Sequence, residues 1–299
     1  ATPYYSVDKK YFSITNLKNT NMGYTYSLSA LFEKSFYFGL DLAASYTFGH
    51  SKSVYDGTSS VAYSNWKYNY AVDSNNPGLA YSMFDIPHRV MVSVGYRTPR
   101  YAKGFMATTV SLVYNGYVGQ RYSLTMNESY YDAEKKKTVY IDYNGDGFGG
   151  NSLLYIPTED ELQKMDFKTE EDRQKFNEWI EGDSYAKKHR GAYAMRNSNS
   201  APWENRVDLH VAQDIFVLKD RGSKFQVTFD VTNFANMLNK KWGTTYTAAY
   251  NVMPLQVIGN KKGEDGNYTN TYAYNSRNTI TKNDILSRWH AQIGCKYIF

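Results

Sequence analysis

Along much of the chain, apolar residues return at every second position, the period of a β-strand with two unlike faces. In the clearest run Phe36, Phe38, Leu40, Leu42, Ala44, Tyr46 and Phe48 share one face, while Tyr37, Gly39, Asp41, Ala43, Ser45, Thr47 and Gly49 share the other. Tyr24, Tyr26, Leu28, Ala30 and Phe32 alternate in the same way just before it, and the pattern predicts a hairpin turning at Glu33-Lys34-Ser35. Five more runs follow, around Arg89–Arg97, Met106–Asn115, Arg206–Ile215, Phe225–Thr232 and Arg288–Phe299. Seven antiparallel strands are therefore expected.

The connections divide sharply by length. Three are short, whereas His50–His88, Gly116–Glu204 and Asn233–Leu286 take up 182 of the 299 residues, and short and long alternate strictly. Loops longer than about 15 residues are uncommon in compact domains. A transmembrane outer-membrane β-barrel has this asymmetry: short turns at the periplasmic end, long external loops, and strands of about 9–11 residues with an apolar outer face. Arg89, Arg97, Arg206, Asp208, Asp214 and Asp230 all fall on the polar face, which in a barrel meets the lumen. The predicted fold class is thus all-β, a membrane barrel whose external loops contain short helices.

Composition removes the competing membrane architecture and leaves this one standing. Mean hydropathy is −0.61 and no run of about 18 apolar residues could cross a bilayer as a helix. Barrel strands escape that test because only alternate residues are apolar. Thirty Tyr, 15 Phe and 5 Trp suit strands and interfacial girdles. The single cysteine, Cys295, excludes an intrachain disulfide, and a net charge of +5 without a basic stripe gives no sign of a nucleic-acid partner. Cys295 lies on an apolar strand face and reads as an inert, lipid-facing side chain. No initiator Met or signal peptide opens the chain. Seven strands cannot close a bacterial barrel, so earlier strands are expected upstream, with residues 1–21 as the tail of an external loop.

Several segments resemble the C-terminal barrel of Oar-like TonB-dependent receptors of Bacteroidetes. They are Ala201-Pro202-Trp203-Glu204-Asn205-Arg206-Val207-Asp208-Leu209, Phe229–Asn239 with Lys241-Trp242-Gly243, Asp142–Gly147 with Asn151, Leu154-Tyr155-Ile156-Pro157, and His189-Arg190-Gly191 with Arg196-Asn197. The terminal Tyr297-Ile298-Phe299 is similar to the aromatic ending read by the outer-membrane barrel assembly machinery. The resemblance implies a 22-stranded barrel, of which residues 1–299 are the last seven strands, with an N-terminal plug absent from this chain. It implies uptake of an unidentified ligand, energised by TonB through that absent region, and in some receptors a surface lipoprotein over the pore.

Three groups of residues carry candidate chemistry. Asp142, Asn144 and Asp146, with Gly147, fit the opening of a calcium-binding loop, although Leu153 stands where such a loop supplies its bidentate Glu and Ser152 replaces an acid. The same residues also suit a turn in which Asx side chains bond their own backbone. Between Glu159 and Asp183 ten acids face four bases; Thr158 with Glu161, and Thr169 before Asp172, start helices, and Gly191 is a plausible stop. Phe176, Trp179 and Ile180 form one helical face, either of a lid or docking surface over the pore or of a solvated helix packed on neighbouring loops. Tyr55, Tyr63, Trp66, Tyr68, Tyr70, Tyr81 and Phe84 in the first long loop suit stacking on a ligand, or packing within the loop.

No catalytic set emerges from His50, His88, His189, His210 and His290, and no enzyme or cofactor is expected beyond that calcium ion. Two other functions fit less of the pattern: a surface adhesin or scaffold, and a secreted carbohydrate-binding β-sandwich.

Overall fold

The computed structural model describes residue 10 and residues 14–217, 223–247, 251–263, 268–276 and 280–299. The seven alternating runs become β1 (Tyr24–Ser35), β2 (Leu40–Ser53), β3 (His88–Arg97), β4 (Met106–Tyr117), β5 (Glu204–Phe216), β6 (Lys224–Thr232) and β7 (His290–Ile298). They lie side by side in chain order in one antiparallel sheet, with the short strand Ala80–Tyr81 added to β2. No second sheet of comparable length faces it among the described residues, which removes support for a sandwich. Among those residues β1 and β7 each pair on one side only, so the sheet is open.

Register turns the alternation into two surfaces. Leu42, Val94, Leu112, Leu209, Val231 and Ala291 form one row across six strands. Asp41, Gly95, Ser111, His210, Asp230 and Gln292 form another on the opposite face. The apolar face is left open: Leu28 is 73% exposed and Ile293 76%. So wide an apolar surface calls for an apolar solvent. On the polar face charges meet across strands: Asp214 accepts from Arg97 (2.8 Å), Lys224 (2.7 Å) and Gln226 (2.7 Å), and His210 Nδ1 lies 2.5 Å from Asp230. No helix among the described residues is long and apolar enough to cross a membrane.

Three sequence expectations need correction. The β1–β2 turn falls at residues 36–39, because β1 pairs through Ser35 and Gly39 takes the left-handed conformation (φ 95°) that closes the loop. Glu33-Lys34-Ser35 contains no residue suited to that conformation and continues the strand. The second correction concerns the acidic segment. Helix α1 is Ala62–Lys67, α2 is Glu159–Lys164 and α3 is Glu170–Gly182, so α3 ends well before Gly191. Asp183 ends it by accepting from the amides of Tyr185 (2.9 Å) and Ala186 (2.8 Å), a local turn that competes with helix continuation. Third, the long connections hold short sheets as well as helices, including the hairpin Leu255–Lys262 with Tyr268–Tyr274. Most of residues 1–21 before β1, and residues 218–222 of the β5–β6 connection, lie outside the described residues.

A further helix, α4 (Phe234–Leu238), follows β6. The hydrophobic cluster of the described residues is drawn wholly from the second and third long connections: Leu124, Leu154, Ile156, Leu162, Phe176, Ile180 and Leu255 are its most buried large members. Most large apolar residues of the strands lie on the outward face instead, among them Leu28, Val94, Leu112, Val227 and Ile293, all exposed.

Candidate functional site: the cap formed by the long connections

The acidic segment is held down by its apolar residues. Thr158 and Glu161 form a reciprocal capping box at α2, and the Thr169 hydroxyl accepts from the Asp172 amide (3.1 Å) at the start of α3. Phe176 and Ile180 are fully buried, and Trp179 packs beside them. Glu171 pairs with Lys175 (2.6 Å) and Glu181 with Arg190 (2.7 Å) at the surface. The helix is thus packed on its neighbours through its apolar face and carries its ion pairs at the surface.

Asp142, Asn144 and Asp146 come together in one turn, as their spacing predicts. Asp142 accepts from the amides of Gly145 (2.7 Å), Asp146 (3.2 Å) and Gly147 (2.8 Å). Gly145 and Gly147 both have positive φ, which permits the tight winding. Asp146 is 1% exposed. One of its oxygens receives Ser74 Oγ (2.6 Å), Asn151 Nδ2 (2.6 Å) and Asn144 Nδ2 (3.2 Å); the other receives the Phe148 amide (2.8 Å). Each carboxylate oxygen therefore already has a protein donor, and no group of three or more His, Cys, Asp or Glu among the described residues is arranged to hold a metal. The turn ties the first long connection, through Ser74, to the second.

Glu128, not singled out by sequence pattern, supports the same turn from the opposite side. Its carboxylate accepts from the amides of Ser152 (3.2 Å) and Gly150. Burial pushes its pKa up to about 7, hydrogen bonds from Ser152 oppose the shift, and the charges of Asp142 and Asp146 add to it.

Beside this turn lies an open cavity of about 450 Å³ lined by Lys67, Tyr140, Ile141, Asp142, Gly147, Phe148 and Gly149. Phe148 stands edge-on to Tyr63 (5.6 Å) and Trp66 (5.5 Å), and Lys67 Nζ sits 4.7 Å from its ring centre. The other loop aromatics are dispersed. The Tyr55 hydroxyl donates to the Ser74 carbonyl (3.3 Å), Tyr81 lies under the Arg121 guanidinium (4.0 Å), and Tyr68 and Phe84 are exposed. Tyr70 is half-buried.

A second buried polar network joins cap to sheet. Arg121 donates through Nε (3.0 Å) and Nη2 (2.6 Å) to Asp85, whose other oxygen accepts from the Ser51 amide of β2 (2.6 Å); His50 Nδ1 is 3.3 Å from Asp85. Arg196 donates to Asn69 and to the Ser53 carbonyl (2.6 Å), while Asn197 reaches the Tyr81 carbonyl (2.8 Å) and Asp56 (3.1 Å). Burial draws the Arg196 guanidinium below its ordinary pKa, against the pull of Asp56. Only Arg196-Asn197 carried a sequence signal, through the family resemblance; Arg121 and Asp85 lie in stretches without a motif. His189, His210 and His290 are placed apart from this network. The arrangement offers hydrogen bonds and shape, and fixes the cap on the wall.

Cys295 is exposed on the apolar face and Phe299 is 98% exposed beyond β7. No curated protein and no solved structure matches the chain. Residues 1–278 match the family described as the outer membrane beta barrel domain. With an outward apolar face, an inward polar face and strands joined in chain order, the chain belongs to the outer-membrane β-barrel domain family and resides in the outer membrane.

Proposed function

We propose that the chain is the C-terminal part of an Oar-like TonB-dependent receptor of Bacteroidetes, a non-enzymatic transporter that takes up a ligand through a plugged 22-stranded barrel. The observation that carries this reading is the open sheet, whose edges β1 and β7 are each unpaired on one side among the described residues. Unpaired amides are costly in hydrocarbon, so further strands must complete the wall. The three long connections, built into a cap at one end, suit the external face of such a receptor, where a surface lipoprotein would seat. TonB would act through the N-terminal region, outer-membrane lipid would cover the apolar face, and Phe299 would engage the assembly machinery. The cap also supports a second reading, an adhesin or scaffold that works through its loops, because it has a hydrophobic core of its own.

The test is binding of the periplasmic domain of TonB to the full-length protein purified in detergent. Saturable binding is expected; none at any concentration overturns the transporter reading. Deletion of residues 120–200 separates the two roles: a scaffold loses its partner while uptake is unchanged.

A further inference from the structure

On the outward face, near the cap, the wall carries a pocket that the transport reading does not use. Tyr114 and Val207 are paired across β4 and β5 on the apolar face, and Asn205 shares it. The Tyr114 hydroxyl donates to Asn205 Oδ1 (2.7 Å), and so does Trp203 Nε1 (3.0 Å). The Trp203 ring lies over Gly116: a Cβ there would stand 2.9 Å from Trp203 Cζ2. Trp242, from the turn after α4, faces this group, and with Val207, Lys241 and Thr244 the two indoles line a cavity of about 310 Å³.

Apolar and basic groups are sorted around its mouth. Trp242 is 56% exposed; Leu238, four residues before it, and Leu286, next to the Ser287 that Asn233 ties to Gly243, are each 62% exposed. Lys240 and Lys241 have no carboxylate partner among the described residues, while Lys282 reaches the Lys240 carbonyl (3.2 Å) and lies 3.9 Å from Asp284. The Asn236 amide fixes this turn by donating to the carbonyls of Trp242 (2.9 Å) and Lys240 (3.3 Å). Indoles favour the boundary between hydrocarbon and headgroups, and lysines beside an apolar wall attract anionic headgroups there. An ordinary aromatic girdle explains the indoles; it does not explain a concave slot lined by Lys241, with Lys240 next to it in the chain and neither lysine paired with a carboxylate among the described residues.

We propose that this slot binds the phosphorylated sugar headgroup of an outer-leaflet glycolipid. The sugar rests on Trp203 and Trp242, the phosphate meets Lys240 and Lys241, and an acyl chain follows Val207 and Leu209 down the wall. The inference rests on the proposed orientation, with the long connections outside the cell.

Native mass spectrometry of the detergent-purified full chain with diphosphorylated lipid A tests it. Occupancy should fall about tenfold in K240A/K241A, and likewise for W242A and for enzymatically dephosphorylated lipid A, while K136A/K137A, on a separate hairpin, binds as the unaltered chain does. Equal occupancy in the two double-lysine variants overturns the proposal. So does displacement by inorganic phosphate, which would make the slot a free-phosphate site. Tyr131→Cys, on an exposed hairpin of the cap, reports orientation separately through an impermeant maleimide on intact cells. Labelling above the unaltered chain with unchanged lipid binding across the variants sinks the headgroup site alone; absence of labelling sinks the outward orientation, and the site with it.

Discussion

The side-chain amide of Asn233 donates to the carbonyl of Gly243 at 2.7 Å, and the same nitrogen reaches the carbonyl of Ser287 at 2.8 Å. One side chain just after β6 thus ties together Gly243, within the third long connection, and Ser287, at its far end. Asn233 is itself left-handed (φ 56°), and its amide donates to Asp208 of β5 (2.7 Å).

Gly243 is the matching half of that contact. It has φ 57°, and a Cβ would lie 2.7 Å from Asn233 Cγ. Gly243→Ala should destabilise the connection by about 1–3 kcal/mol. Asn233→Gly keeps the backbone conformation and removes only the hydrogen bonds, and should cost about 1–3 kcal/mol. Protease sensitivity of residues 233–286 in the vesicle-reconstituted protein reads both; unchanged cleavage in Gly243→Ala would contradict the steric argument.

Arg121 and Asp85 form the buried ion pair that pins cap to wall, with side chains 8% and 1% exposed. Arg121→Ala leaves a buried carboxylate facing only His50 and a backbone amide, at a cost of about 3–5 kcal/mol. Asp85→Asn combined with Arg121→Met should recover part of it. Hydrogen exchange at residues 118–124 is the measurement, and single and double variants that exchange alike would remove the pair from the account.

Glu128 gives the cap a pH response. Its ordinary value of 4.5 is pushed up to about 7 by burial, so the folded state holds a proton that the unfolded state has lost between those values. Its contribution is fully present below pH 4.5 and declines as pH rises through about 7. Amides of residues 128–152 should therefore exchange faster at pH 7.5 than at pH 5 after correction for intrinsic rates, and Glu128→Gln should flatten the difference. A variant that keeps the full slope would assign it to another group.

The Asp142–Asn151 turn is expected to hold its shape without calcium, since its carboxylates are engaged by amides and by Ser74. Isothermal titration with calcium should give equal heats for the protein and for D142A/D146A. A saturable heat present only in the unaltered chain would restore the ion to this loop.

Cys295 checks the sidedness of the wall. It pairs with Val227 on the apolar face. In vesicles it should resist a water-soluble maleimide, and a fluorophore attached in detergent should be quenched by brominated acyl chains after reconstitution. Ready aqueous labelling would invert the two faces.

The wall was legible because one physical rule acts at every residue: neighbours on a strand point into different media, so Val90, Val92 and Val94 alternate with Arg89, Met91 and Ser93. The cap obeys no such rule. Leu255–Lys262 has a register shift between Val257 and Gly259, which breaks the alternation that would have announced it. Asp85 and Arg121 are 36 residues apart and meet only after β3 and β4 bring the connections to one end. Helix starts were readable from Thr158 and Thr169 because capping is local. The end of α3 was not, because Asp183 decides it through its side chain, while Gly191 only looks like a stop.

The placement of the hydrophobic cluster in the connections divides the chain between two solvents. Leu154, Phe176 and Ile180 are driven together by water, whereas Leu112, Val211 and Ile293 are stable only where water is missing. Urea therefore probes the first set and bilayer thickness the second. A substitution in one should leave the other's response unmoved unless it touches a residue through which the two halves share hydrogen bonds, such as Asp85, Arg121, Arg196, Glu204 or Asn233.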